Sequence, residues 1–431
     1  MKIELIATGD EILTGALTDT NSSWLAEVLQ KTGGRVDRHV TVGDTLSKLS
    51  EQFQETALRA DVAIVTGGLG PTTDDLTAEA MAQATGCPLV FNSEALQTVE
   101  AFFKRLNRPM SASNRKQALL PKEAIVLPNP VGTAPGFSVR LKRCTFFCLP
   151  GVPPEMKRMF HKSVLPAIAE QLKGGATVNL LKVLTLFGIP ESLAGEKAAA
   201  VISGYSELKL GLRASFPVLQ IKLYGHGKAR KKTTRQLEEA SKRMADAFGD
   251  AVFSTSTTSM AEAVSQILVE RGSSVAVAES CTGGLISHWL TNISGSSDFF
   301  HLGAVTYANE AKADILGVLP DTLAQKGAVS LEVVRQMAAG IKARAGTDYG
   351  IATSGIAGPT GGTAEKPAGT VCIGLASPNG VWTRRYCFAI GGRGMKKKVF
   401  ATTALDQLRR CLLGLHPGVL SGYPLDTYRQ P

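Results

Sequence analysis

The chain has 431 residues, which at about 150 residues per domain points to roughly three domains rather than one core. With 44% apolar residues, 19% charged residues and a mean hydropathy of +0.06, the composition excludes a disordered chain and allows a sizeable core. A net charge of +10 admits both anionic small molecules and nucleic acid as partners without choosing between them.

The opening MKIELIATGDEIL reaches Asp10 and Glu11 before the apolar core of a signal peptide could form. No run of 18 apolar residues follows, so a cytoplasmic protein without a membrane span is expected. Seven scattered cysteines, none spaced C-x-x-C, predict reduced thiols and no zinc site.

In chain order, IELIAT (3–8) reads as a buried strand, SSWLAEVLQKTG as a helix ending at Gly33, DVAIVTGG as a second buried strand and TFFCLPG (145–151) as a later one. Strands alternating with helices predict an α/β domain with a mainly parallel sheet, whose ligands bind at the carboxyl ends of the strands. The next stretch holds LLKVLTLFGI, a helical ESLAGEKAAAVI, strand-like LKLGLRAS and LQIKLYG, and a long helical TTRQLEEASKRMADAFG. It predicts a small α+β module. Its basic run Lys228, Arg230, Lys231, Lys232 and Arg235 reads as a solvated loop opening a helix, with a nucleic-acid footprint as the alternative. A second α/β domain opens with the helix MAEAVSQILVERG and the strand SVAVAES. Further strands are expected at FFHLGAVTYA, DYGIATSG, GTVCIGLAS and VWTRRYCFA, then a closing helix through KKKVFATTALDQLRRCLLG. The fold class is therefore two α/β three-layer sandwich domains joined by a small α+β module. The expected boundaries are 1–168, 172–252 and 258–415, with a loose tail at 416–431.

Two constellations carry chemistry. Thr66, Gly67, Gly68 and Gly70 follow the strand DVAIV and run into Asp74 and Asp75. Glycines let backbone N–H groups converge on an anion, and adjacent carboxylates can hold a divalent cation against a phosphate. A glycine turn with an aspartate helix cap is the plainer reading. In the last domain, AESCTGG joins a buried strand to a helix, presenting Ser280 either as a nucleophile or as an ordinary helix cap, with Cys281 as a competitor. No histidine stands in a usable pattern. Lys312, one turn into a helix that follows Tyr307, offers a base if burial removes its proton. The loop through Thr353, Ser354, Gly355 and Gly358 reads as a phosphate or ribose loop, or else as a hairpin.

The first domain resembles the MoaB/Mog-like molybdopterin-binding fold as it occurs in the competence/damage-inducible CinA family. The motifs are TGDEILTG, DTNSSWLA, TGGLGPTTDD, NRKQA, NPVGTAPGF and PGVPPEM, in order. That resemblance implies metal-dependent hydrolysis of ADP-ribose to AMP and ribose 5-phosphate, with a divalent metal (Mg, Mn or Co) at Asp74 and Asp75 and with Asp10 and Glu155 as neighbours. AESCTGG, ISGSSDFFHLGAVTYANEAK, GAVS and TSGIAGPTGGTAEKPAGTV resemble the carboxyl-terminal domain of the same family, the PncC-type nicotinamide mononucleotide amidohydrolase. The implied machinery is Ser280 with Tyr307 and Lys312 and no cofactor. The N–H groups from Thr282 through Gly283 to Gly284 would face the oxyanion, and the 353–362 loop with Arg393 would hold the ribose phosphate. By the same resemblance the middle module is KH-like, although it lacks the G-x-x-G clamp of such modules, and the protein is a homodimer. Nicotinamide mononucleotide and ADP-ribose are the expected partners, not nucleic acid or membrane. The rival from another class is a non-catalytic nucleotide sensor or DNA-uptake accessory, favoured by the +10 charge and the basic run.

Overall fold

The computed structural model describes residues 1–173, 178–227, 229–256 and 258–415. Lys228 and the expected tail 416–431 lie outside the described residues. The chain divides into two compact units, Met1–Leu181 with Gly225–Arg235, and Lys182–Tyr224 with the chain from Gln236 onward.

The first unit is built on strands β1 (Ile3–Thr8), β2 (Val36–Val42), β3 (Val62–Thr66), β4 (Leu89–Phe91), β5 (Leu119–Pro121), β6 (Ile125–Leu127), β7 (Gly136–Leu141) and β8 (Cys144–Leu149). The six-stranded sheet has the order β2-β1-β3-β8-β7-β6, and β4 pairs with β5 apart from it. The strands β2, β1, β3 and β8 run parallel; β7 and β6 continue antiparallel. Every residue of β1 and β3 is buried because helices cover both faces. Ile3, Leu5 and Ile64 pack with Leu25, Leu29 and Phe160 on one face; Ile6 and Val65 pack with Phe53, Ala57 and Met81 on the other. A continuous apolar run is the sequence form of such a strand, which is why IELIAT and VAIVT were legible. The strand β2 was not: it is the sheet edge, and VDRHVTV keeps only Val42 buried. Glu4, a carboxylate inside an otherwise apolar strand, is answered by a forked pair from Arg59, Nε to Oε1 at 2.7 Å and Nη2 to Oε2 at 3.0 Å.

A four-stranded sheet follows, with β9 (Val178–Phe187), β10 (Leu208–Ser215), β11 (Val218–Gly227) and β12 (Val252–Ser254) in the order β10-β11-β9-β12. Its helices are Glu191–Ile202 and Arg230–Phe248. The basic residues Arg230, Lys231, Lys232 and Arg235 stand exposed on the first turns of that second helix, not on a loop.

The last sheet contains β13 (Val275–Glu279), β14 (Phe300–Val305), β15 (Tyr349–Gly355), β16 (Thr370–Ser377) and β17 (Gly380–Cys387), in the order β14-β13-β15-β16-β17. Both neighbours of β13 run parallel to it; β16 and β17 are antiparallel. Val275, Val277 and Ile351 face the helices Met260–Arg271 and Arg393–Leu412, while Ala276, Ala278 and Ala352 face the helix Leu331–Ala345. That second face is lined by small residues so that the helix can come close. A Cβ at Gly350 would stand 2.3 Å from the Ala338 carbonyl oxygen, and one at Gly374 2.3 Å from that of Val334. Among the described residues no helix is long and apolar enough to cross a membrane.

The closing helix buries charge. The Asp406 carboxylate accepts from Arg409 Nε and Nη2 (2.9 and 2.7 Å) and from Arg410 Nε (2.9 Å), with side chains only 3%, 4% and 7% exposed. Removing Asp406 would leave the two buried guanidiniums, among the described residues, only the Asp250 carbonyl oxygen at 2.7 Å and its carboxylate at 3.6 Å. Asp406→Ala is therefore expected to lower unfolding stability by about 3–5 kcal/mol, read from the denaturant midpoint at unchanged slope.

Candidate functional site

Both large sheets send the chain in opposite directions from one central strand, β1 in the first and β13 in the second, and crevices at such points hold ligands in open α/β sheets.

In the first unit, β1 runs into Gly9, Asp10 and Glu11, and β3 ends at Thr66 before Gly67, Gly68 and Gly70. These ends open on a cavity of about 580 Å³ whose lining includes Glu11, Asp44, Gly67, Asp74, Asp75 and Glu155. Gly67 has φ of 110°, and a Cβ there would stand 2.6 Å from the Thr8 carbonyl oxygen. Only glycine fits that turn. The Thr77 hydroxyl donates to the Gly67 carbonyl at 2.8 Å and fixes it.

The four carboxylates expected around a metal stand close to this cavity but answer different partners. Asp75 accepts from the Thr72 amide and hydroxyl at 2.9 and 2.5 Å. Glu155 accepts from Asn129 Nδ2 at 2.6 Å, and burial pushes its carboxyl above the usual range. Asp10 and Asp44 each accept the other's backbone N–H, at 3.2 and 3.0 Å, and Asp74 is exposed. Among the described residues no group of three or more His, Cys, Asp or Glu side chains is arranged to hold a metal ion. The carboxylates present do not form a cage for the implied metal. Asp44, absent from the sequence reading, is also affected by its surroundings: burial raises its pKa, and the charges of Asp10, Glu11 and Asp74 add to the rise.

In the second unit, Ser280 follows β13 directly and is tied by its N–H to the Thr353 carbonyl oxygen of β15 at 3.0 Å. On the other side of β13, Thr306 follows β14 and donates its N–H to the Glu279 carbonyl oxygen at 2.9 Å. Lys312 lies in the helix Asn309–Leu316, only 1% exposed, and donates from Nζ to the carbonyl oxygens of Thr306 and Tyr307 at 3.0 Å each and of Ala308 at 3.4 Å. Burial lowers its pKa below the ordinary lysine value. Ser280 and Lys312 thus belong to adjoining ends of two paired strands. Tyr307 is 63% exposed, and its hydroxyl accepts from Arg393 Nη2 at 3.1 Å while Arg393 Nη1 donates to the Gly358 carbonyl oxygen at 3.0 Å. The expected phosphate loop and Arg393 are therefore joined.

Not every member of that loop points to a ligand. Thr353 shares a hydroxyl hydrogen bond with Thr282 at 2.8 Å, both fully buried, and Ser354 donates its hydroxyl to the Ala328 carbonyl oxygen at 2.7 Å. These threonines and this serine hold β13, β15 and the turn together. Gly355 packs with its Cα against Thr370 and Val371, where a Cβ would stand 2.5 Å from the Thr370 carbonyl oxygen. Cys281 is buried and its thiol is pushed up to about 12 by desolvation, which leaves it without thiolate character.

Sequence reasoning missed Glu279. This last residue of β13 is fully buried, and its carboxylate turns forward to accept from the Ile286 and Ser287 N–H groups at 3.1 and 2.8 Å and from the Ser287 hydroxyl at 2.7 Å. It satisfies the first amides of the helix Leu285–Thr291. The Gly283 N–H is engaged by the Ser280 carbonyl oxygen at 3.1 Å, which leaves the Thr282 and Gly284 amides without a backbone acceptor among the described residues. Lys397 was missed as well: its Nζ lies 3.2 Å from the position a Cβ on Gly283 would occupy.

Comparison with known proteins covers both units. Residues 257–412 match the family model for the CinA C-terminal domain, and residues 4–170 match that for a probable molybdopterin binding domain. A CinA-like protein of Desulfosudis oleivorans is 44% identical over 413 residues, 96% of this chain and 100% of that one. A CinA-like protein of Shewanella amazonensis is 45% identical over 415 residues, 96% of each. Among solved structures, the competence/damage inducible protein CihA from Agrobacterium tumefaciens is 41% identical and covers 36% of this chain and 93% of its own, at a TM-score of 0.35.

Glutamine at position 279 would keep the shape of the side chain and turn an amide N–H₂ toward backbone donors. Glu279→Gln is expected to lower stability by about 1–3 kcal/mol, the cost of charge-assisted bonds left unmade. Hydrogen exchange should accelerate at the Ile286 and Ser287 amides before it does in β15.

Proposed function

The chain belongs to the CinA family, and we propose that its second unit is an amidohydrolase that converts nicotinamide mononucleotide to nicotinic acid mononucleotide and ammonia. The observation that supports this most directly is the shared location of Ser280, at the end of β13, and of the buried Lys312 amine, which is bonded to Thr306 at the end of the adjoining β14. In this mechanism Ser280 Oγ attacks the carboxamide carbon, and its proton passes to Lys312, directly or through Tyr307. The C–N bond then breaks, ammonia leaves with the proton returned, and water hydrolyses the acyl-serine. Burial favours the neutral amine that a base requires. Arg393, shared between Gly358 and Tyr307, suits the ribose phosphate.

For the first unit we propose hydrolysis of ADP-ribose. Supporting it is the cavity at the ends of β1 and β3, where the glycine turn brings backbone against a ligand rich in phosphate. The carboxylates on its walls leave backbone N–H groups and Lys116 as the cationic or donor elements nearby; Lys116 Nζ itself donates to the Thr72 carbonyl oxygen at 2.7 Å.

Ser280→Ala and Lys312→Ala should each remove most ammonia release from nicotinamide mononucleotide, and the double variant should cost no more than the worse single one, because nucleophile and base act as a unit. Cys281→Ala should keep activity. The acid limb of kcat/KM should rise with pH and level off below the free-lysine value of about 10.4, since the active form is the deprotonated amine and burial lowers its pKa.

Gly67→Ala drives a Cβ into the Thr8 carbonyl oxygen. It should weaken ADP-ribose binding by about tenfold or more, roughly 1.4 kcal/mol, in calorimetric titration, while ammonia release by the second unit is unchanged. Equal binding by wild type and variant would remove the glycine turn from the site.

A further inference from the structure

Acyl transfer needs positive charge or donors where the carbonyl oxygen becomes an alkoxide; around Ser280 the Thr282 and Gly284 amides are left for that role, several other donors are engaged, and a cation would add to the two amides. The Ser280 N–H goes to Thr353 and the Gly283 N–H to Ser280 itself. The first amides of the following helix go to Glu279. The Lys312 ammonium, had it been the charge in question, is directed to three carbonyl oxygens.

Among the described residues Lys396 and Lys397 are not so engaged, and of the two it is Lys397 that reaches the turn. Lys397 stands in the helix Arg393–Leu412, half-buried, with Nζ 3.2 Å and Cε 3.8 Å from where a Cβ on Gly283 would be. Gly283 has φ of 60° and carries no side chain, so nothing separates the ammonium from the turn. Among the described residues Lys397 makes no hydrogen bond and no ion pair. Its cationic neighbours lead away from the turn: Lys396 Nζ is 3.7 Å from the Cβ position of Gly358, and Arg393 bonds to the Gly358 carbonyl oxygen. A half-buried ammonium at the turn that follows Ser280, with no ion pair among the described residues, is poised for an anion that exists only during the reaction.

Resting on the amidohydrolase reading, we propose that Lys397 is a further catalytic residue whose ammonium stabilises the oxyanion formed when Ser280 adds to the carboxamide. Ser280 Oγ forms a bond to the carboxamide carbon and gives its proton to Lys312. The carbonyl π pair moves onto oxygen, and that oxygen faces Lys397 Nζ. Collapse re-forms the C=O bond and breaks C–N, and the leaving nitrogen takes the proton from Lys312. The charge on Lys397 is constant throughout.

The test compares Lys397→Met and Lys397→Arg with wild type on the full-length protein. An oxyanion donor is worth on the order of 10²–10³ in rate, so Lys397→Met should lower kcat about 10²-fold with KM nearly unchanged, and Lys397→Arg should restore part of the loss. A raised KM at unchanged kcat would overturn the proposal and make Lys397 a phosphate-binding residue. A serine-reactive fluorophosphonate supplies a readout that needs no amide substrate. Adduct formation at Ser280, followed by mass spectrometry, should slow in Lys397→Met to a similar degree, and an unchanged labelling rate would overturn the proposal. Absence of ammonia release by wild type would instead defeat the amidohydrolase reading, with the labelling comparison still deciding the role of Lys397. If Lys397→Met melts far below wild type, Lys397→Gln carries the same comparison.

Discussion

A strand covered by helices on both faces can hold an unpaired polar side chain only at a cost of several kcal/mol, and the layout of this protein follows from that cost. The strands β1, β3 and β13 are buried along their whole length. Apart from Glu4 in β1, their sequences are apolar until the last residue or the one after it, and the polar chemistry collects where the chain leaves the sheet. The two charged residues that do sit inside these strands are fully answered: Glu4 by Arg59, and Glu279 by the amides and hydroxyl of the helix that follows it. Glu279 marks where the two demands meet. It closes a buried strand and, in capping the next helix, fixes the turn on which Ser280 stands.

The same constraint decides what could be read from the sequence. VAIV and VAVA are continuous apolar runs and IELIA is one broken only by Glu4, and they mark both the strands and the positions of the two candidate sites. VDRHVTV carries no such run, because β2 borders the sheet and needs burial on only part of its length. The family motifs bring out Ser280, Tyr307 and Lys312, and residues 1–173 and 258–415 fold around the motif-bearing loops as an α/β pattern requires. Contacts made by side chains between distant segments were not legible. Nothing in AESCTGG says that its glutamate will occupy the helix amides, and nothing in KKKVFATT says that the middle lysine will reach Gly283 while the first reaches Gly358. Those outcomes depend on how the closing helix lies against the turn. The basic residues at 230–235 illustrate the opposite case: their type was read correctly as exposed, but their backbone is helix, because propensity for a long helix extends through lysine and arginine.

The two sites differ in electrostatic sign. Around the first cavity burial raises the pKa of Asp44, and Asp10, Glu11 and Asp74 are close enough to add to the rise, so an anionic ligand there meets carboxylates and must rely on backbone N–H groups. Around Ser280 the side chains near the turn and loop are Arg393, Lys396 and Lys397, and an anionic ligand meets cations directly. The glycine turns carry this difference. Gly67 and Gly68 admit the backbone itself to the cavity, whereas the bare Cα of Gly283 admits a lysine from another helix.

An amide is a poor leaving group, and a serine hydroxyl is a weak nucleophile, so a site of this kind needs both a base and an electrostatic sink for the oxyanion. One lysine cannot serve both ends. As a base it must be neutral when the hydroxyl attacks and gives up its proton, and as a sink it must be charged at the same moment. On the proposed reading, the fold separates the two requirements. Lys312 is buried among backbone carbonyls, where desolvation works against its charge, while Lys397 is partly exposed and reaches the turn at Gly283. Burial and three backbone carbonyl partners thus set Lys312 apart from the partly exposed Lys397.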